Sequence, residues 1–137
     1  MKEYSIKQVS AMLGLSKDTL RYYDKLNIVV PKRGENDYRY YTENDVLDLK
    51  FICVMKYAGL KLKSIRIILN NRRSNQSGCL EKTLEILEDK KQETARRIQS
   101  LQFIEVLLVN SIEQIKHKEF KKEVENLVLE IFDRIKE

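Results

Sequence analysis

Apolar residues recur at helical spacing along most of this chain. Ile6, Val9 and Leu13 form one face, opened by Ser5 with Gln8 at capping-box spacing. Gly14 can take the left-handed conformation that closes such a helix, with Leu15 packing back on it. Ser16 caps a second helix that carries Leu20, Tyr23 and Leu26 inward. Ile28-Val-Val-Pro31 reads as a short strand, Gly34-Glu-Asn-Asp37 as turn chemistry, and Tyr38-Arg-Tyr-Tyr41 as the returning strand. Thr42 with Asp45 opens a third helix whose Val46, Leu49, Ile52, Val54 and Met55 point at the core, until Gly59 breaks it. A fourth helix runs from Leu62 to Asn70 on Ile65, Ile68 and Leu69.

The polar run from Arg72 to Gly78 reads as a linker, dividing a first domain (1–75) from a second (76–137). Beyond it, Leu80, Leu84, Leu87, Lys91, Thr94, Ile98, Leu101, Glu105, Leu108, Ile112 and Ile115 alternate spacings of four and three. Eight of these eleven positions are apolar, which makes a heptad seam of about five repeats. One helix cannot bury such a stripe alone, and the chain's other helices are few and short. The seam therefore predicts a coiled coil between two copies, with Lys91, Thr94 and Glu105 helping to set register. A last amphipathic helix, carrying Phe120, Val124, Leu127, Val128, Ile131 and Ile135, is expected to fold back on the seam.

Charge changes the picture more than composition does. The 137 residues carry a net charge of +5, but residues 1–75 hold 15 Lys/Arg against 8 Asp/Glu, whereas residues 76–137 hold 11 against 13. A basic first half beside a slightly acidic second half points to a polyanion as partner of the first. Four Gly and one Pro leave room for few loops, so the chain should be mostly helix. Its longest apolar stretch, Ile104 to Val109, is interrupted by Glu105 and too short to span a bilayer. The N-terminus is polar by its second residue, unlike a cleavable signal, and a cytoplasmic location is expected.

Two short helices joined at a glycine turn and followed by a basic, aromatic hairpin form a winged helix-turn-helix, which lays its second helix in the major groove of double-stranded DNA. Lys17, Thr19, Arg21 and Tyr22 are the candidate contacts on that helix, since short donors and a basic side chain suit phosphates and base edges together. Arg39, expected at the hairpin tip between Tyr38 and Tyr40, would reach a flanking groove or the backbone. Lys32, Arg33, Lys56, Lys61 and Lys63 would add phosphate contacts. Each residue alone reads as well as a solvated charge or, for the tyrosines, as core; the set together favours DNA. One histidine, no phosphate loop and no nucleophile paired with a base argue against an enzyme.

These features resemble the mercury-resistance regulator (MerR) family of bacterial transcription regulators. The resemblance is carried by Ile6, Val9, Gly14, Ser16, Thr19-Leu-Arg-Tyr-Tyr-Asp24, the Tyr38-Arg39-Tyr40 wing, and Leu49-Lys-Phe-Ile52 running to Gly59 and Leu62. It implies a winged helix-turn-helix, an antiparallel homodimer through the long helix, and inverted-repeat operators in promoters with an over-long spacer. Distortion of that spacer lets RNA polymerase use the promoter. By position it also implies DNA contacts at Ser16, Lys17, Thr19, Arg21, Tyr22, Tyr23, Tyr38 and Arg39.

The signal is less legible. Metal sensors of the family use a cysteine near the start of the dimer helix plus a pair after its end. Cys79 occupies the first place, no cysteine follows it, and His117 is the one other nearby ligand type, so no metal site and no cofactor is expected. Cys53 falls one position before the cysteine of the family's aldehyde and oxidant sensors, a rotation of about 100° on a helix, and reads as a small buried hydrophobe. Phe103, Phe120, Leu127 and Phe132 could wall a small apolar ligand but read as packing. The effector is left unassigned. Two other functions stay open: an architectural or excision factor of a mobile element, and a coiled-coil adaptor for a protein partner.

Overall fold

The computed structural model describes residues 2–74, 80–117 and 122–136. In chain order it contains β1 (Glu3–Ser5), α1 (Ile6–Leu13), α2 (Lys17–Lys25), β2 (Lys32–Arg33), a 3₁₀ turn (Glu35–Asp37), β3 (Arg39–Thr42), α3 (Glu43–Tyr57), α4 (Leu62–Ser74), α5 (Leu80–Lys116) and α6 (Lys122–Ile135). It is mainly helical, with a winged helix-turn-helix at the N-terminus, a long helix and a short C-terminal one. Two compact units divide the chain, Met1–Ile86 and Leu87–Glu137.

Local chemistry sets the helix ends of the first unit. Ser5 Oγ accepts from Gln8 N at 3.1 Å while Gln8 Oε1 accepts from Ser5 N at 2.8 Å. Thr42 and Asp45 make the same reciprocal cap at the start of α3. Gly14 closes α1 at φ +67°, a left-handed conformation that a Cβ would strain. Val9, Leu20, Tyr23, Tyr41, Leu49, Ile52, Ile65 and Leu69 are buried in one core, with Leu15, Leu26, Met55 and Ile86 packed against it.

The wing is a three-stranded antiparallel sheet in the order β1-β3-β2, with Tyr4 opposite Tyr41 and Arg33 opposite Arg39. Strand β1 escaped the sequence pattern, being three residues long with one partly buried side chain. The strand expected over Ile28–Pro31 is absent. Asn27 turns the chain at φ +57°, and Ile28 N donates back to the Tyr23 carbonyl at 2.9 Å. Its backbone thus completes the end of α2 instead of joining a ladder, while Ile28 and Val29 fill the core. The strand itself is Lys32–Arg33.

Two helix expectations also change. Val54 points outward at 62% exposure, because it lies two positions past the buried Ile52, about 200° round the helix. Helix α4 continues to Ser74, so Arg72 and Arg73 belong to a helix and not to a linker. The first unit extends through the start of α5, where Thr83 Oγ1 bonds Asn71 Nδ2 and Ile86 touches the core.

In the second unit, Val124 and Ile131 of α6 are buried and Leu127 is half-buried. On α5 the shielded line is Ser100, Phe103, Ile104, Leu107, Ser111 and Gln114, and the Arg134 guanidinium lies 4.1 Å from the Phe103 ring centroid. Helix α6 therefore covers that face and not the heptad seam. The seam residues Leu80, Leu84, Leu87, Ile98, Leu101, Leu108, Ile112 and Ile115 all stay 41–58% exposed in the single chain.

Candidate nucleic-acid interface

Helix α2 begins with Ser16, whose Oγ accepts from Thr19 N at 3.0 Å and is hydrogen-bonded to Thr19 Oγ1 at 2.8 Å. Both short side chains thus serve the cap while standing at the helix end that favours phosphate. Leu20 and Tyr23 turn into the core, which leaves Lys17, Arg21 and Tyr22 on the outer face, Tyr22 at 53% exposure. Arg21 meets Asp18 at 3.1 Å, an exposed i,i+3 pair. Such a pair contributes at most about 1 kcal/mol, so Arg21 can exchange it for a phosphate or a base edge.

Lys17 and Arg21 of α2 and Asp37, Tyr38 and Arg39 of the wing together line a cleft of about 510 Å³. The remaining lining is Ser5, Ile6 and Lys7, from the start of α1. Lys7 was not singled out by sequence; its only signal is a basic side chain on the solvent side of the Ile6–Val9 face. Tyr38, at 73% exposure, is the outward aromatic of the hairpin.

Arg39 lies within β3 and not at the tip, which is formed by the 3₁₀ turn. Its Nε donates to Asp24 Oδ2 at 3.0 Å, and its side chain is 24% exposed. Arg33, across the ladder, reaches the same oxygen at 3.5 Å and the Asp37 carbonyl at 3.0 Å. Lys32 is exposed beside it on β2.

Tyr23, assigned to DNA by resemblance, is 3% exposed and packs in the core. Burial pushes its phenol pKa up, helped by the neighbouring Cys53. Burial likewise raises that of Tyr41, with Arg39 opposing, and among the described residues the Tyr41 hydroxyl has no hydrogen-bond partner. Lys56 at the end of α3 and Lys61 and Lys63 around the start of α4 are exposed, outside the cleft lining.

Of the sensor candidates, Cys53 is partly buried on α3 and His117 is exposed after α5. Cys79 and Phe120 lie outside the described residues. Among the described residues no three His, Cys, Asp or Glu side chains gather as a metal site would require, and no helix is long and apolar enough to cross a membrane.

A model of the MerR HTH family regulatory proteins matches residues 4–72, and one described as MerR, DNA binding matches residues 46–110. The HTH-type transcriptional regulator ZntR of Escherichia coli is 34% identical over 100 residues, covering 72% of this chain and 71% of that protein. The mercuric resistance operon regulatory protein of Bacillus cereus is 30% identical over 112 residues, covering 79% and 82%. In fold, the chain is similar to HiNmlR, a MerR family regulator lacking the sensor domain and solved bound to promoter DNA (TM-score 0.73, 23% identity, 85% of this chain and 92% of that one). The chain belongs to the MerR family of DNA-binding transcriptional regulators.

Proposed function

We propose that this regulator acts as a homodimer on an inverted-repeat operator inside a promoter. The observation that carries the reading is the cleft lined together by Lys17 and Arg21 of α2 and Tyr38 and Arg39 of the wing. Two elements distant in sequence converge there on one basic, partly aromatic surface. In this reading Arg21 and Tyr22 reach base edges, Ser16, Lys17 and Thr19 meet phosphates at the N-terminus of α2, and Tyr38 and Arg39 engage the backbone beside them. Lys32, Arg33, Lys56, Lys61 and Lys63 add phosphate contacts.

Pairing of two copies along Leu80, Leu84, Leu87, Ile98, Leu101, Leu108, Ile112 and Ile115 supplies the symmetry that a palindrome requires. The exposure of every one of those side chains supports it. Distortion of the DNA between the half-sites would then present the promoter to RNA polymerase, in the cytoplasm. The relatives are transcriptional regulators, and no catalytic step is assigned.

In-vitro selection from random duplex DNA tests the reading. An enriched inverted repeat is the expected result. Enrichment of a single half-site would remove the dimer, and no enrichment would favour an architectural factor or a protein adaptor.

A further inference from the structure

One carboxylate gathers both arginines of the wing. Asp24, in the last turns of α2, accepts Nε of Arg39 at 3.0 Å and Nη2 of Arg33 at 3.5 Å on the same oxygen. Those arginines are cross-strand partners in the β2–β3 ladder. The Asp24 side chain is 15% exposed and that of Arg39 24%, against 95% and 48% for the Asp18–Arg21 pair. The Asp24–Arg39 pair is therefore sheltered from solvent where the α2 surface pair is not, while Arg33 stays 41% exposed.

An acid next to a polyanion is repulsive, so its place here needs a compensating role. A guanidinium offers five N–H donors in a rigid planar fork. With Nε held by Asp24, the plane of Arg39 is set, and its Nη groups remain as donors on the side chain that lines the cleft. Asp24 is not itself a lining residue, so any effect it has on base readout passes through Arg39, which is one.

We infer that Asp24 is a positioning residue for DNA readout: it lowers affinity for DNA in general while orienting Arg39 for the operator. The inference rests on the cleft being the operator interface. Preorganising a donor lowers the ordering cost of specific binding, whereas loose arginines can pair with any phosphate. The carboxylate thus trades general attraction for discrimination.

The test measures binding of the full chain to its selected operator and to a random duplex over a range of salt. Asp24→Asn should lower the operator-to-random affinity ratio by about tenfold or more. Its binding to random DNA should hold or strengthen, with a salt slope steeper by about one to two. Asp24→Glu, which keeps the carboxylate charge, should recover part of the ratio. In the double variant with Arg39→Ala, the ratio should match that of Arg39→Ala alone, because the two act as a unit.

An unchanged ratio, additive losses, or a parallel loss on both DNAs with a falling thermal midpoint would overturn the inference. If the unaltered chain selects no sequence at all, the operator reading falls first. That result is distinct from an unchanged ratio on a real operator.

Discussion

Oδ2 of Asp48 accepts from Arg73 through both Nε and Nη2, each at 3.0 Å. Arg72 takes the other oxygen, and its guanidinium carbon lies 5.9 Å from the Phe51 ring centroid. Asp48 is 6% exposed, so a buried carboxylate of α3 holds the last turn of α4. Asp48→Asn would remove the charge and replace one of the two acceptor oxygens with an NH2 donor that faces a guanidinium. Asp48→Asn should cost the first unit roughly 2 kcal/mol, discounted from a fully buried pair because both arginines retain solvent access. Chemical denaturation of the full chain checks this; a change below about 0.5 kcal/mol would show the cluster to be incidental.

Arg21→Ala should weaken operator binding by about 1–3 kcal/mol and relax preference at one base pair per half-site. Lys61→Ala should instead reduce affinity evenly on all sequences and lower the salt slope by about one. Titrations on operator and random duplex at several salt concentrations separate the two. Equal losses for Arg21→Ala would reduce it to a phosphate contact.

Leu101→Glu places a charge at a seam position that is 54% exposed in the single chain. It should abolish dimerisation while leaving helicity nearly unchanged, read by sedimentation and circular dichroism. Persistence of the dimer at micromolar concentration would mean that α5 pairs through another face.

The first unit reaches Ile86, which touches the core, and Thr83 bonds Asn71. A fragment of residues 1–86 should therefore be more stable than one of residues 1–75, by roughly 1–2 kcal/mol for one buried aliphatic contact and a hydrogen bond. Thermal melts of the two decide it, and equal midpoints would return the functional boundary to the end of α4.

The Tyr41 hydroxyl is buried without a hydrogen-bond partner among the described residues, and burial raises its pKa. Tyr41→Phe should leave stability at neutral pH unchanged or raise it by about 1 kcal/mol. A raised folded-state pKa gives stability that is present below the unfolded value and lost as pH climbs past it. The native protein should therefore lose stability above about pH 10, and the variant should lose less. Melting curves from pH 8 to 11 that coincide for the two proteins would contradict this account.

Much of this protein follows from its sequence because much of it is local. Ser5 with Gln8, Thr42 with Asp45, and Gly14 act on the turn they sit in, so residue type and spacing suffice to place α1 and α3. The seam on α5 follows from a repeat within one helix, and the string from Thr19 to Asp24 carries the family. Only the tertiary structure decided what depends on residues far apart in the chain. Arg39 lies in a strand and not at the tip because its backbone pairs with that of Arg33, and Asp24, fifteen positions earlier, accepts from its Nε. Lys7 lines the cleft because β1 joins the sheet and brings α1 beside the wing. Helix α6 shields Phe103 and Leu107 and not the seam, since an amphipathic pattern states that a face will be buried but not against which partner.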